Sequence, residues 1–166
     1  MWTMWRGGII FTLISTCAIF FNKINMFFLK SHGGNLGVAQ YSATWMVVDG
    51  FSITVSMLLL GRIMYAIFVR VHSRSQEEFV QLARITARWL LALATPIMFI
   101  LYVESDRIIS IAYGNEYGDA IWMQKILVFT IVIAFLHNLA QYLIFTMGKE
   151  RLVLGIYILG LAFNLG

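Results

Sequence analysis

The chain has 166 residues, of which 60% are hydrophobic, 15% aromatic and 12% charged, with a formal net charge of +4. Its mean hydropathy is +0.81. A soluble domain carries about 25% charged residues, so this composition excludes a water-soluble globular fold. It also excludes disorder, which needs low hydrophobicity and high charge. The single cysteine, Cys17, cannot form an internal disulfide; it lies in an apolar run and reads as a small buried hydrophobe. In so apolar a chain the basic excess reports membrane topology, not a nucleic-acid partner.

Crossing the hydrocarbon core takes about 20 apolar residues. In chain order the qualifying or nearly qualifying runs are 7–29, broken by Lys23; 37–61, broken by Asp49; 85–103, with Arg88 near its start; 126–148, which is uncharged; and 152–166, still apolar at Gly166. Barrel strands alternate apolar and polar residues over about ten positions. These runs are continuous, and backbone groups in lipid must find partners within their own segment, so helices are predicted. The expected fold is all-α: a polytopic transmembrane helix bundle of about five spans. The last run is too short to cross, so the chain is expected to be a piece of a longer protein. Met1 is either a true start or an internal methionine, and no signal-peptide cleavage site follows the first run.

The connections are predicted at Lys30–Leu36, Arg62–Arg88, Glu104–Lys125 and Lys149–Arg151. Arg6, Arg62, Arg70, Arg74, Arg84, Arg88, Lys149 and Arg151 fall on one side, and Lys30, Arg107 and Lys125 on the other. The positive-inside rule then puts the N-terminus in the cytoplasm. Within the second connection, Ser75 and Glu78 form a capping box. Phe79, Leu82, Ala83, Thr86 and Trp89 follow on one helical face, with Arg84 and Arg88 on another. This predicts an amphipathic cytoplasmic helix over 75–88 that runs into the third span and sets its arginines among lipid headgroups.

Charged and amide side chains inside spans are few and informative, because they usually face a bundle interior or a cavity. Asp49 lies roughly 18 Å from the outer edge at about 1.5 Å per residue, and His137 roughly 16 Å. Asn138 and Gln141 follow, with His137 and Gln141 at i,i+4 on one face. A polar layer of Asp49, His137, Asn138 and Gln141 is expected near the midplane. It is either a hydrogen-bond cluster that holds the bundle together or a cavity lining able to couple to a proton or sodium gradient, since His and Asp can change charge. Lys23, flanked by Asn22 and Asn25, lies about 12 Å from Asp49 in depth on the same arithmetic, too far for a direct salt bridge. It either snorkels to the outer headgroups or faces a cavity that receives an anionic headgroup. Gln40, Tyr41, Ser42 and Thr44 read as interfacial. No enzyme motif is present, His32, His72 and His137 lack metal-ligand spacing, and no cofactor is expected.

The run Phe21-Asn-Lys-Ile-Asn-Met-Phe-Phe-Leu-Lys30, followed by Gly37-Val-Ala-Gln-Tyr-Ser-Ala-Thr-Trp45, resembles the first two spans of bacterial polysaccharide-biosynthesis flippases. Ile108-Ile-Ser-Ile-Ala-Tyr-Gly-Asn-Glu-Tyr-Gly-Asp-Ala120 is similar to that family's signature between spans. Met147-Gly-Lys-Glu-Arg151 with an apolar run to Asn164 is similar to its later Gly-Lys/Arg pattern. The family belongs to the multidrug/oligosaccharidyl-lipid/polysaccharide exporter superfamily. One departure is Leu60-Gly-Arg-Ile, which lacks the Pro-containing cytoplasmic segment often found there.

The resemblance implies one partial, C-terminal-half-like lobe of a two-lobed transporter in the bacterial inner (cytoplasmic) membrane. Such a protein moves a polyprenyl-pyrophosphate-linked oligosaccharide across by alternating access. Its implied partners are membrane lipid, the lipid-linked oligosaccharide, the remaining half of its own chain and the polysaccharide polymerase machinery. By position, Asn22, Lys23 and Asn25 match the family's polar first-span residues. A cation-coupled multidrug exporter of the same superfamily is an alternative, as is a peptidoglycan-precursor flippase, although such relatives usually carry several arginines in early spans. An alternative of another class is a non-transporting membrane scaffold subunit.

Overall fold

A computed structural model describes residues 2–165 of the chain, with side chains described for 8–21, 23–31 and 33–164. Among these residues the chain is helical and contains no strand. The helices are α1 Gly8–Ser31 and α2 Gly33–His72, α3 Gln76–Val103, α4 Ser105–Tyr113, α5 Gly118–Leu127, α6 Thr130–Thr146 and α7 Glu150–Leu165. Three of them, α1, α2 and α3, are long and apolar enough to cross a membrane. A fourth crossing is added if residues Asn115–Leu127 and Thr130–Thr146, bent by 55° at their junction, count as one span.

Contacts fix the directions of the helices. At the start of α2 the backbone leaves helical geometry at Gly34, at φ 63° and ψ −166°, a conformation open essentially to glycine alone. The chain folds back there: Met26 Sδ lies 3.9 Å from Ser42 Oγ, and Asn25 hydrogen-bonds Tyr41. α2 and α3 form a second antiparallel hairpin, closed by the edge-on ring contact of Phe68 with Phe79 at 6.1 Å. Along α2 and the α5–α6 pair, contacts advance in step, Thr44 with Ala120, Ser56 with Asn138 and Gly61 with Tyr142, so these elements run parallel. α7 returns antiparallel to α6. It packs on α1 through Phe21, whose ring lies 6.3 Å from that of Tyr157.

Two predicted connections are largely helical. At about 1.5 Å per residue, the 40 residues of α2 span roughly 60 Å, about twice the hydrocarbon core. The helix therefore runs past Arg62 and Arg70, and the expected connection over 62–88 narrows to a turn at Ser73–Ser75. The reason is Phe68, fully buried in the core between the two hairpin arms. Ser75 caps α3, its Oγ accepting from the Glu78 N–H at 3.3 Å. Trp89 does not join Phe79 and Thr86 in the core. It is 73% exposed, and Leu90, at 2%, takes the next core position after Thr86. The connection over 104–125 also folds, into α4, a 3₁₀ turn at Asn115–Tyr117 and α5, with Lys125 and Asp106 ion-paired at 3.1 Å.

The core gathers Val48, Leu60 and Phe68 from α2, Leu90, Ala94 and Leu101 from α3, and Ile131, Phe135 and Leu139 from α6. Lipid tails are as apolar as these side chains, so packing and interhelical hydrogen bonds hold such helices together. The sequence supplies both in one row: Gln40, Thr44, Val48, Ser52, Ser56 and Leu60, each at most 4% exposed. An i,i+4 row is the ridge that seats in a neighbour's groove, and here it is made mostly of small or polar residues. Gln40 and Thr44 are thus packing residues, not interfacial ones. Thr44 Oγ1 donates to the Ala120 carbonyl on α5 at 3.0 Å.

Candidate functional site

α2 organises the polar side chains within the long apolar helices. Beside its buried row runs a second i,i+4 row of Tyr41, Trp45, Asp49, Ile53 and Met57. Tyr41 and Trp45 lie nearly parallel, 6.2 Å between ring centroids with 13° between planes. The Trp45 indole donates a hydrogen bond to the half-buried Asp49 carboxylate. One turn below Asp49, Ile53 and Met57 enter the wall of a cavity of about 290 Å³ between α2 and α6. Ser56, Asn138, Gln141 and Tyr142 supply its polar lining. Asn138 Nδ2 donates to Ser56 Oγ at 2.9 Å across the helix pair.

The backbone at this cavity departs from the α-helix. Met57–Met64 forms a π-helical stretch inside α2, a geometry that is rare and frequent at functional sites. It brings Gly61 against α6 so closely that a Cβ there would lie 2.8 Å from the Tyr142 hydroxyl. That approach, not its dihedrals, is what favours glycine here.

The structure separates the expected midplane layer into parts. Asn138 and Gln141 face the cavity. Asp49 stands one turn above it. His137 does not line it: it is exposed at the flank of α6, its Nε2 3.2 Å from the Tyr157 hydroxyl on α7. Asn138 meets Ser56, seven residues along α2 from Asp49, so the His137 level lies about 10 Å below the carboxylate. Lys23 is closer to Asp49 than the depth arithmetic gave. With Met26 opposite Ser42, Lys23 falls level with Trp45, one turn or about 6 Å above Asp49. The tight bend at Gly34 lets α2 begin several residues earlier than residue 37, which removes half of the expected offset. The two charges attract without a direct ion pair, and Lys23 Nζ rests 3.9 Å from Met26 Sδ. Asn25 holds Tyr41, and the Asn22 side chain lies outside the described residues.

Ser56, Tyr142 and Tyr157 belong to this arrangement and were not singled out in the sequence. The i,i+4 spacing of Ser52 and Ser56 below Gln40 and Thr44 is the signal that finds the α2 face; nothing local marks the tyrosines. Among the described residues no three His, Cys, Asp or Glu side chains gather as a metal site. The arrangement offers a cation and a carboxylate in its upper part and neutral hydrogen-bonding groups in its lower part. Comparison with family models, with curated proteins and with solved structures gives no match for this chain.

Proposed function

We propose that this chain is one partial lobe of a polytopic flippase that moves a lipid-linked oligosaccharide across the bacterial cytoplasmic membrane by alternating access. The reading joins the family resemblance of the α1–α2 motifs to one observation: Lys23 of α1 and Asp49 of α2 stand on the side of the bundle above the Ser56–Asn138–Gln141 cavity. Charged residues in spans are costly and mark pathways or cavities. The Lys23 side chain is exposed on this bundle; in this reading its face is turned to water or to further helices of the transporter, where an anionic pyrophosphate headgroup suits it. In this reading the chain makes about five crossings with a cytoplasmic N-terminus, α5–α6 being the bent fourth and α7 the truncated fifth. Movement is driven by a proton or sodium gradient.

The Asp49 carboxylate one turn above the cavity favours a second reading, a cation-coupled multidrug exporter of the same superfamily. Asp49→Asn tests both in cells carrying the intact gene. The flippase reading expects loss of surface polysaccharide at normal membrane levels of the protein, with cationic-dye efflux unchanged. Loss of dye efflux alone selects the exporter, and full activity in both assays removes the role of Asp49.

A further inference from the structure

We infer that the face of α3 carrying Gln81, Arg84 and Arg88 binds the phosphate of one anionic phospholipid. This is independent of what the bundle transports and needs only that α3 crosses the bilayer. An open groove runs along α3 from Glu77 past Val80, Gln81 and Arg84 to Ile85 and Arg88. Counting back about 20 residues from Val103, the length of one crossing, ends at Arg84. The groove therefore lies where the helix leaves the hydrocarbon and meets headgroups.

Arg84 and Arg88 are exposed at i,i+4 on one face, where like charges repel and destabilise a helix. Their own i±3 and i±4 neighbours are Val80, Gln81, Ile85, Ala87, Leu91 and Ala92, none of them acidic. The ion pair found among the described residues joins Lys125 to Asp106, elsewhere in the fold. Glu77 closes the end of the groove away from the membrane, seven residues or about 10 Å from Arg84. An anion between the guanidiniums removes their repulsion, and the planar donors of arginine suit phosphate oxygens. The Gln81 amide adds a neutral donor. The membrane side decides for a lipid over a free anion: Ile85 and Trp89 are 42% and 73% exposed, and together they offer an apolar flank to an acyl chain below the headgroup.

The test uses the purified full-length protein in nanodiscs of phosphatidylcholine doped with phosphatidylglycerol, with bound lipid counted by native mass spectrometry. Wild type is expected to retain one phosphatidylglycerol against an excess of phosphatidylcholine. R84Q/R88Q should weaken that retention about 30-fold, the effect of two interfacial charges. Equal retention by the double variant overturns the proposal, and displacement of the lipid by millimolar inorganic phosphate reassigns the groove to a free anion and overturns it as well. A second measurement covers failure of the variant to fold. Brominated phosphatidylglycerol should quench the Trp89 fluorescence, taken as the difference between wild type and Trp89→Phe, more than brominated phosphatidylcholine at equal mole fraction. Equal quenching by the two lipids refutes a specific site.

Discussion

Gly61→Ala probes the tightest glycine contact among the described residues. The added Cβ would stand 2.8 Å from the Tyr142 hydroxyl oxygen but 3.5 Å from the ring carbon that bears it. The first distance forces a shift, whereas the second is an ordinary contact. Overpacking of this kind costs about 1–3 kcal/mol, offset by about 1 kcal/mol because alanine is the better helix former. In the wild-type background the net effect is then a loss of about 0–2 kcal/mol. In a Tyr142→Phe background the hydroxyl is gone, and the same alanine should be neutral or stabilising by up to about 1 kcal/mol. The ring contact of Tyr142 with Tyr65, at 5.9 Å, survives that change. A double-mutant cycle in detergent, followed by far-UV circular dichroism through SDS unfolding, should return a coupling of about 1–3 kcal/mol. If Gly61→Ala has the same effect in both backgrounds, the π-helical seating of α2 on α6 is refuted.

Further perturbations have defined outcomes. Gly34→Ala forces a side chain into a glycine-only conformation and should destabilise the α1–α2 hairpin by about 1–3 kcal/mol, measured by thermal unfolding in detergent; a neutral effect contradicts the bend. Asn138→Ala removes the bond to Ser56, and such bonds in membranes are worth about 0.6 kcal/mol on average and up to about 1.7; the loss should disappear in a Ser56→Ala background. Ser75→Ala should cost about 1 kcal/mol through loss of the α3 cap, with Ser75→Asp restoring it, and equal stability of the three proteins would sink the cap. Asp106→Asn should change stability by under about 1 kcal/mol, because the Lys125–Asp106 pair is 35% and 68% exposed.

Hydropathy alone predicted the helical class and the positions of the apolar segments, because lipid leaves the backbone no choice but internal hydrogen bonds. It mislaid the ends of α2. Arg62 and Arg70 read as a connection, yet an arginine on an exposed face does not stop a helix whose other face buries Phe68. The polar site was legible in kind but not in register. Depth counting assumes straight spans and a fixed start, and the bend at Gly34 with the π-helical stretch at Met57–Met64 breaks both assumptions. Hence Lys23 and Asp49 come nearer each other than counted, while His137 turns to Tyr157 and leaves Asn138 and Gln141 to the cavity. Partners such as Ser56 and Tyr142 emerge only when the parallel packing of α2 and α6 is known.

Water access along α2 tests the polar pathway most directly. In a Cys17→Ala background, single cysteines at Ile53, Met57, Leu58 and Leu59 can be labelled in intact membranes with a small hydrophilic thiol reagent. All four are exposed on the bundle, but only Ile53 and Met57 border the cavity. The expected result is labelling at positions 53 and 57 and none at 58 and 59. Absence of labelling at all four positions, or equal labelling at all four, contradicts a wet pocket on this face of α2.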